Sequence, residues 1–203
     1  AFLYSFFGHS DAEKFFNELT SERKTDFSRY NYFYAKYLHS QGKVQEAKKI
    51  LNSSLKKYPR NLLLNQYKLD LENSENNFSF DFKKETHVIA EILYIVANAF
   101  SSQSIYSASN FYLNLAKYLN KDFHAFDTLM AENFYNIDDL VNSKKIYESL
   151  EEYGSAFKWF SNKQISRILV KEEKKKQAIK LLKETYNRFC LLYTSPSPRD
   201  QEA

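Results

Sequence analysis

Apolar side chains in residues 1–189 recur at intervals of three and four, the spacing of one helix face, and strand-like alternation is scarce. Counted in one register from Ser28, Ala90, His124 and Trp159, four helix-pair units place a small residue at the same point: Ala47, Ser109, Ser143 and Ala178, at intervals of 62, 34 and 35. A second small residue stands on the first helix of each unit, at Ala35, Ala97, Ala131 and Ser166. Antiparallel helices approach closely only where side chains are small, so these positions should be buried at helix crossings. Gly42 breaks the chain between the helices of the first unit, and Pro59 ends that unit.

The units run 28–61, 90–123, 124–158 and 159–189, with a divergent segment at 62–89. Within that segment a helix is predicted over Leu62 to Leu71. The polar run that follows, Glu72-Asn-Ser-Glu-Asn-Asn, reads as a loop near 72–84, either an exposed insertion or a seam between repeat groups. Upstream, Phe2 to Phe7 reads as the end of a preceding helix, and Ser10 or Asp11 as the cap of a helix over Ala12 to Leu19. The stripe Ile89, Ile92, Leu93, Val96 and Phe100 predicts a buried helix at the core. Val88 to Phe100 falls short of the roughly 20 residues a membrane helix needs, and Glu91 interrupts it.

With three glycines and many helix formers, the chain is expected to be all-α, a stack of about five to six antiparallel helix pairs. Residues 190–200, CLLYTSPSPRD, resemble the in-frame translation of a sequencing-library transposase adaptor. The tail 190–203 is therefore expected to be non-native and disordered, and the chain a fragment of a longer array whose N-terminus is also cut. The only cysteine and two of the three prolines lie in that tail, so disulfides, thiolate metal sites and cysteine nucleophiles have no support upstream of it. Neither the cytoplasm nor the cell envelope is favoured as its compartment.

Aromatic residues make up 17% of the chain and crowd at Tyr30, Tyr32, Phe33, Tyr34 and Tyr37, more than a single packing face absorbs. Some of these rings are expected to face solvent or a partner. Phosphate-cradling glycine motifs and a nucleophile elbow are absent. The four histidines are scattered, and His124 with Asp127 reads as a solvated pair rather than a metal site. Asp138 and Asp139 read as the start of a helix. The net charge is +4. Basic residues from Lys163 to Lys183 offer a nucleic-acid face, but Glu172, Glu173 and Glu184 interleave with them, which makes nucleic acid an unfavoured partner.

The motifs Leu93-Val96-Ala97-Phe100, Met130-Ala131-Phe134 and Ala178-Leu182 resemble the tetratricopeptide-repeat superfamily over most of residues 28–189, and the order of blocks is similar to alphaproteobacterial members of unassigned function. The tryptophan and glycine signatures are missing from most units. The resemblance implies a right-handed α-solenoid that binds a protein or peptide on its concave face without catalysis, cofactor or metal. Groove positions carried over from it are Arg29, Tyr32, Lys36 and His39; Glu91, Tyr94, Asn98 and Ser101; Ala125, Thr128, Glu132 and Tyr135; and Phe160, Lys163, Arg167 and Val170. The partner-binding candidates among them are Tyr32, Lys36, His39, Tyr94, Asn98, Thr128, Glu132, Tyr135, Lys163 and Arg167. Lys36 and Asn98 fall on separated units, so no carboxylate clamp is expected. The alternatives are a helical-repeat nucleic-acid binder using 163–183, or a regulatory repeat region of a larger enzyme.

Overall fold

The computed structural model describes residues 1–21, 28–73 and 79–193. Their secondary structure is helical: α1 (Phe2–Phe6), α2 (Ala12–Thr20), α3 (Ser28–Ser40), α4 (Val44–Lys57), α5 (Leu62–Glu72), α6 (Glu85–Ser102), α7 (Tyr106–Leu119), α8 (Ala125–Asn136), α9 (Leu140–Leu150), α10 (Ser155–Lys171) and α11 (Lys175–Tyr193). Consecutive helices pack on one another, most closely α3 on α4, α6 on α7, α8 on α9 and α10 on α11. No helix among the described residues is long and apolar enough to cross a membrane.

The small residues fall where close packing demands them. Ala47, Ser109, Ser143 and Ala178 are all at most 1% exposed, and Ala35, Ala97, Ala131 and Ser166 are buried beside them. Each of the four pairs also turns in the same way. Gly42, Ser104, Asp138 and Glu173 adopt φ of 77°, 61°, 64° and 63°. The next amide donates back to the last turn of the preceding helix at 2.9, 2.9, 2.9 and 2.8 Å: Lys43 to Leu38, Ile105 to Phe100, Asp139 to Phe134 and Lys174 to Leu169. This is the six-to-one bond that closes a helix through a left-handed residue. Each such residue precedes its small pivot by five positions, so one local geometry repeats with the sequence period.

Several expectations are corrected. Four of the five aromatic residues of α3 are withdrawn from solvent, Tyr32, Phe33, Tyr34 and Tyr37 being at most 8% exposed, because α2, α4 and α5 all pack around this helix; Tyr30 is half-buried. Residues 79–84 are anchored to the core, although Lys83 and Lys84 are exposed. Phe80 and Phe82 plug the core against Phe2 and Phe33, with ring centroids 4.9–6.5 Å apart. Residues 74–78 of the predicted loop lie outside the described residues. The α6 stripe is only partly buried: Ile89 and Ile92 are 46% and 39% exposed and Leu93, Val96 and Phe100 half-buried, while His87, Val88, Ala90, Glu91 and Ala97 are buried. The fully buried face carries the small residues Ala90 and Ala97, both 0% exposed, as close helix packing requires.

Asp11 occupies the cap position of α2, but its side chain makes no capping bond and instead lies 3.7 Å from His9. Asp139 does cap α9, accepting from the Asn142 amide at 3.1 Å. Leu182 is 44% exposed, although it lies on the same side of α11 as the buried Ala178 and Thr185. α11 continues through Tyr193, four residues into the adaptor-like tail; the rest of the tail lies outside the described residues.

α5 departs from neighbour-only packing. It touches α3 and α4 and also reaches α10, far along the chain. Asn61 caps it by accepting from the Leu64 amide at 3.1 Å, and its own amide donates to Ser28 Oγ at 2.9 Å, tying the start of α5 to the start of α3. One turn on, the buried Gln66 Oε1 accepts from the Ala156 amide at 3.1 Å and Nε2 donates to Asp70 at 2.7 Å. Gly154, the residue before α10, offers no capping side chain, so Gln66 caps α10 from ninety positions away.

Candidate functional site

Because α5 sits between α3 and α10, a cavity of about 250 Å³ opens beside it. α5 contributes Leu63, Gln66, Tyr67 and Asp70, and α3 contributes Tyr32. Ser79 lines it from the segment before α6, Asp122, Phe123 and His124 from the turn before α8, and Tyr153 and Phe157 from around the start of α10. Tyr32 meets Tyr67 edge-on at 5.5 Å and lies nearly parallel to Phe123 at 6.1 Å. His124 stacks flat on Tyr153, with centroids 3.3 Å apart. Asp122 is exposed, whereas Asp70 is 4% exposed.

Lys36 and His39, one and two turns beyond Tyr32 on α3, support this wall. Lys36 Nζ lies 6.0 Å from the Tyr32 ring centre and 5.7 Å from that of Tyr67. His39 Nδ1 is hydrogen-bonded to Tyr67 Oη at 2.8 Å. Burial lowers the Lys36 ammonium to about 8, and the carboxylates of Asp70 and Asp81 oppose that shift. Burial raises the Tyr32 and Tyr67 hydroxyls far above the ordinary phenol range, so both stay neutral donors at physiological pH.

The sequence-derived candidates thus separate. Tyr32, Lys36 and His39 converge at the cavity, and Tyr32 lines it. Tyr94 packs beneath the Arg29 guanidinium, 3.7 Å from its ring centre, where Arg29 forms a two-pronged pair with the fully buried Glu91 at 2.7 and 2.8 Å. Asn98 is exposed on α6. Thr128 Oγ1 donates to the Ala125 carbonyl at 2.8 Å. Glu132, Tyr135 and Arg167 form a second cluster between α8 and α10: Arg167 donates to Glu132 at 3.1 and 3.3 Å and lies 4.4 Å from the centre of the Tyr135 ring. Tyr147 Oη donates to Glu132 at 3.1 Å. Lys163 lies 5.8 Å from the centre of the Trp159 ring.

Within the basic run, Arg167 pairs with Glu132, Lys171 with Asp138, Lys174 with Glu172 and Lys180 with Glu184, so much of its charge already faces carboxylates. Nor are His124 and Asp127 a solvated pair: Asp127 is 6% exposed and shared between Lys117 and His124. Among the described residues, no group of three or more His, Cys, Asp and Glu is placed to hold a metal ion.

Most of the cavity comes from residues that the repeat register passes over. The available signal was the spacing Leu63, Gln66, Tyr67 and Asp70 on α5, an i, i+3, i+4, i+7 face that mixes apolar and polar groups. Comparison with protein-family models, with curated proteins and with solved structures returns no match for this chain.

Proposed function

We propose that this protein is a non-catalytic binding module: a tetratricopeptide-like array that holds a segment of a partner polypeptide against the cavity beside α5. The observation that carries the reading is the cavity's lining, in which rings from α3, α5, the turn before α8 and the start of α10 surround one opening. Aromatic side chains on rigid helices give large contact area for little ordering entropy, which is what anchors an extended segment. The repeated helix-pair turns support the array reading, and the α5 clasp on α10 supplies the rigidity.

A display library of random peptides panned against the whole chain tests this. Enriched sequences should lose binding to Tyr153→Ala, which alters the cavity mouth, and keep it with Arg167→Ala, which alters the α8–α10 cluster. An absence of enrichment, or peptides indifferent to Tyr153, would overturn the reading.

A further inference from the structure

The α6–α7 pair is covered by α8 on one side and open on the other. On the covered side Tyr94 meets Phe126 at 5.7 Å, Ser101 donates to Asn133 at 2.6 Å, Asn133 donates to Asn110 at 2.8 Å and Lys117 pairs with Asp127. With 3.6 residues per turn, Ile89, Ile92 and Val96 stand roughly 140–160° around α6 from Tyr94, and Tyr112 and Leu115 as far around α7 from Asn110 and Lys117. There Phe100 lies nearly parallel to Tyr112, with centroids 5.6 Å apart, and joins the two helices into one apolar surface. Ile89, Ile92 and Leu115 are 46%, 39% and 39% exposed, and Val96, Phe100 and Tyr112 are half-buried. In a regular array the preceding helix pair stacks on this side. The preceding helix here, α5, packs chiefly against α3, α4 and α10.

This open surface is also uncharged. The chain is 27% charged, yet between Glu85 and Lys117 the only charged side chain is Glu91, which is buried against Arg29. An acidic or basic partner, a nucleic acid or an anionic membrane finds no counter-charge on it. An identical surface meets no like charge. The last helix pair differs: on α11 the exposed Ile179 has the exposed Lys176 and Lys183 one turn to either side. Stacking α11 of one copy on the α6–α7 face of another would press ammonium groups onto apolar side chains and leave an open chain of subunits. The ends of the open face set a direction as well. Lys83, Lys84 and Lys121 lie at one end of the pair, and Gln103, Ser104 and Ser107 at the other. A two-fold axis normal to the face sets α6 antiparallel to its copy and each lysine end over an uncharged turn, with the two lysine ends about 27 Å apart, well beyond a Debye length of about 8 Å.

We propose that the α6–α7 face is an isologous dimer interface, on which a second copy of this chain stacks its own α6–α7 pair, antiparallel about a two-fold axis near Ile92 and Val96. The 18 residues of α6 at 1.5 Å each, by two helix widths of about 9 Å, give a footprint of about 500 Å² per copy. The total of about 1,000 Å² reaches the size at which specific association begins.

Sedimentation velocity of the whole chain from about 1 to 200 µM should show monomer passing to dimer and nothing larger. Ile92→Lys and Leu115→Lys should each weaken the dimer at least about tenfold, by burying an unpaired charge between the copies. Both positions are exposed in the single chain, so melting of the monomer at about 1 µM should be unchanged and report an intact fold. Mixing Ile92→Lys with Ile92→Glu should restore pairing, because the axis brings position 92 near its own copy. A monomer throughout, oligomers that grow with concentration, a dimer indifferent to both lysines, or a mixture that fails to pair would overturn the inference. Flotation with phosphatidylcholine vesicles that Ile92→Lys abolishes would give the face to lipid and overturn it too.

Discussion

Replacing Gly154 by alanine should loosen the joint between α5 and α10 more than any other one-carbon change near the cavity. Gly154 has φ 116° and ψ 167°, a region that side-chain-bearing residues avoid at a cost of about 1–3 kcal/mol. A Cβ there would also stand 2.4, 2.5 and 2.6 Å from Nε2, Oε1 and Cδ of Gln66. The amide can swing away only by releasing the Ala156 amide and Asp70, bonded at 3.1 and 2.7 Å. A buried donor left unmet costs a further 1–3 kcal/mol or so. The sum is about 4 kcal/mol, or a urea midpoint lower by roughly 1–2 M at an m-value of about 2–3 kcal/mol/M.

Hydrogen exchange at the Ala156 amide localises the effect, because its protection depends on Gln66. In a Gln66→Ala background the wall is gone and only backbone strain remains, so the second cost of Gly154→Ala should fall to about 1–3 kcal/mol. An unchanged midpoint for Gly154→Ala, or the same cost in both backgrounds, would refute the clasp.

Three further outcomes are expected. Glu173→Gly should raise stability by about 0.5–1 kcal/mol by removing a left-handed non-glycine residue at φ 63°, while Gly42→Ala at φ 77° should lower it by a similar amount; thermal melts read both. Arg29→Met, which leaves the fully buried Glu91 uncompensated, should cost about 3–5 kcal/mol, and adding Glu91→Leu should recover most of it in denaturant titrations. Lys36→Met should stabilise the protein at pH 7 by at most about 3 kcal/mol, less whatever solvent screens. Below about 8 the Lys36 amine is charged in both folded and unfolded chains, and the full burial cost is present. Between about 8 and the ordinary 10.5 the unfolded chain binds the extra proton, so wild-type stability rises with pH relative to Lys36→Met. A constant gap between the two from pH 7 to 9.5 would contradict that assignment.

Which parts of this molecule could be read from the chain follows from where the information is local. Helix pairing was legible because Ala47, Ser109, Ser143 and Ala178 mark close approaches whatever else surrounds them. The recurring left-handed turn was legible only at Gly42, since Ser104, Asp138 and Glu173 adopt the same backbone without the residue type that announces it. The aromatic crowd on α3 could not be assigned to the interior, because enclosure from several sides is a property of α2, α4, α5 and Phe80 together.

The cavity lay furthest from view, for a related reason. Gln66 and Asp70 read as polar positions of a divergent helix, and only a bond across ninety positions makes them interior. In a strict repeat each unit touches its neighbours, and its surface repeats with it. A helix that breaks the period has no equivalent partner and must pack elsewhere. By inserting between α3 and α10, α5 brings the Tyr32 wall, the turn at Asp122–His124 and the start of α10 around a space that no repeated contact would create. The divergent segment, which interrupts the 34-residue spacing, is therefore what creates the cavity among otherwise recurring helix pairs.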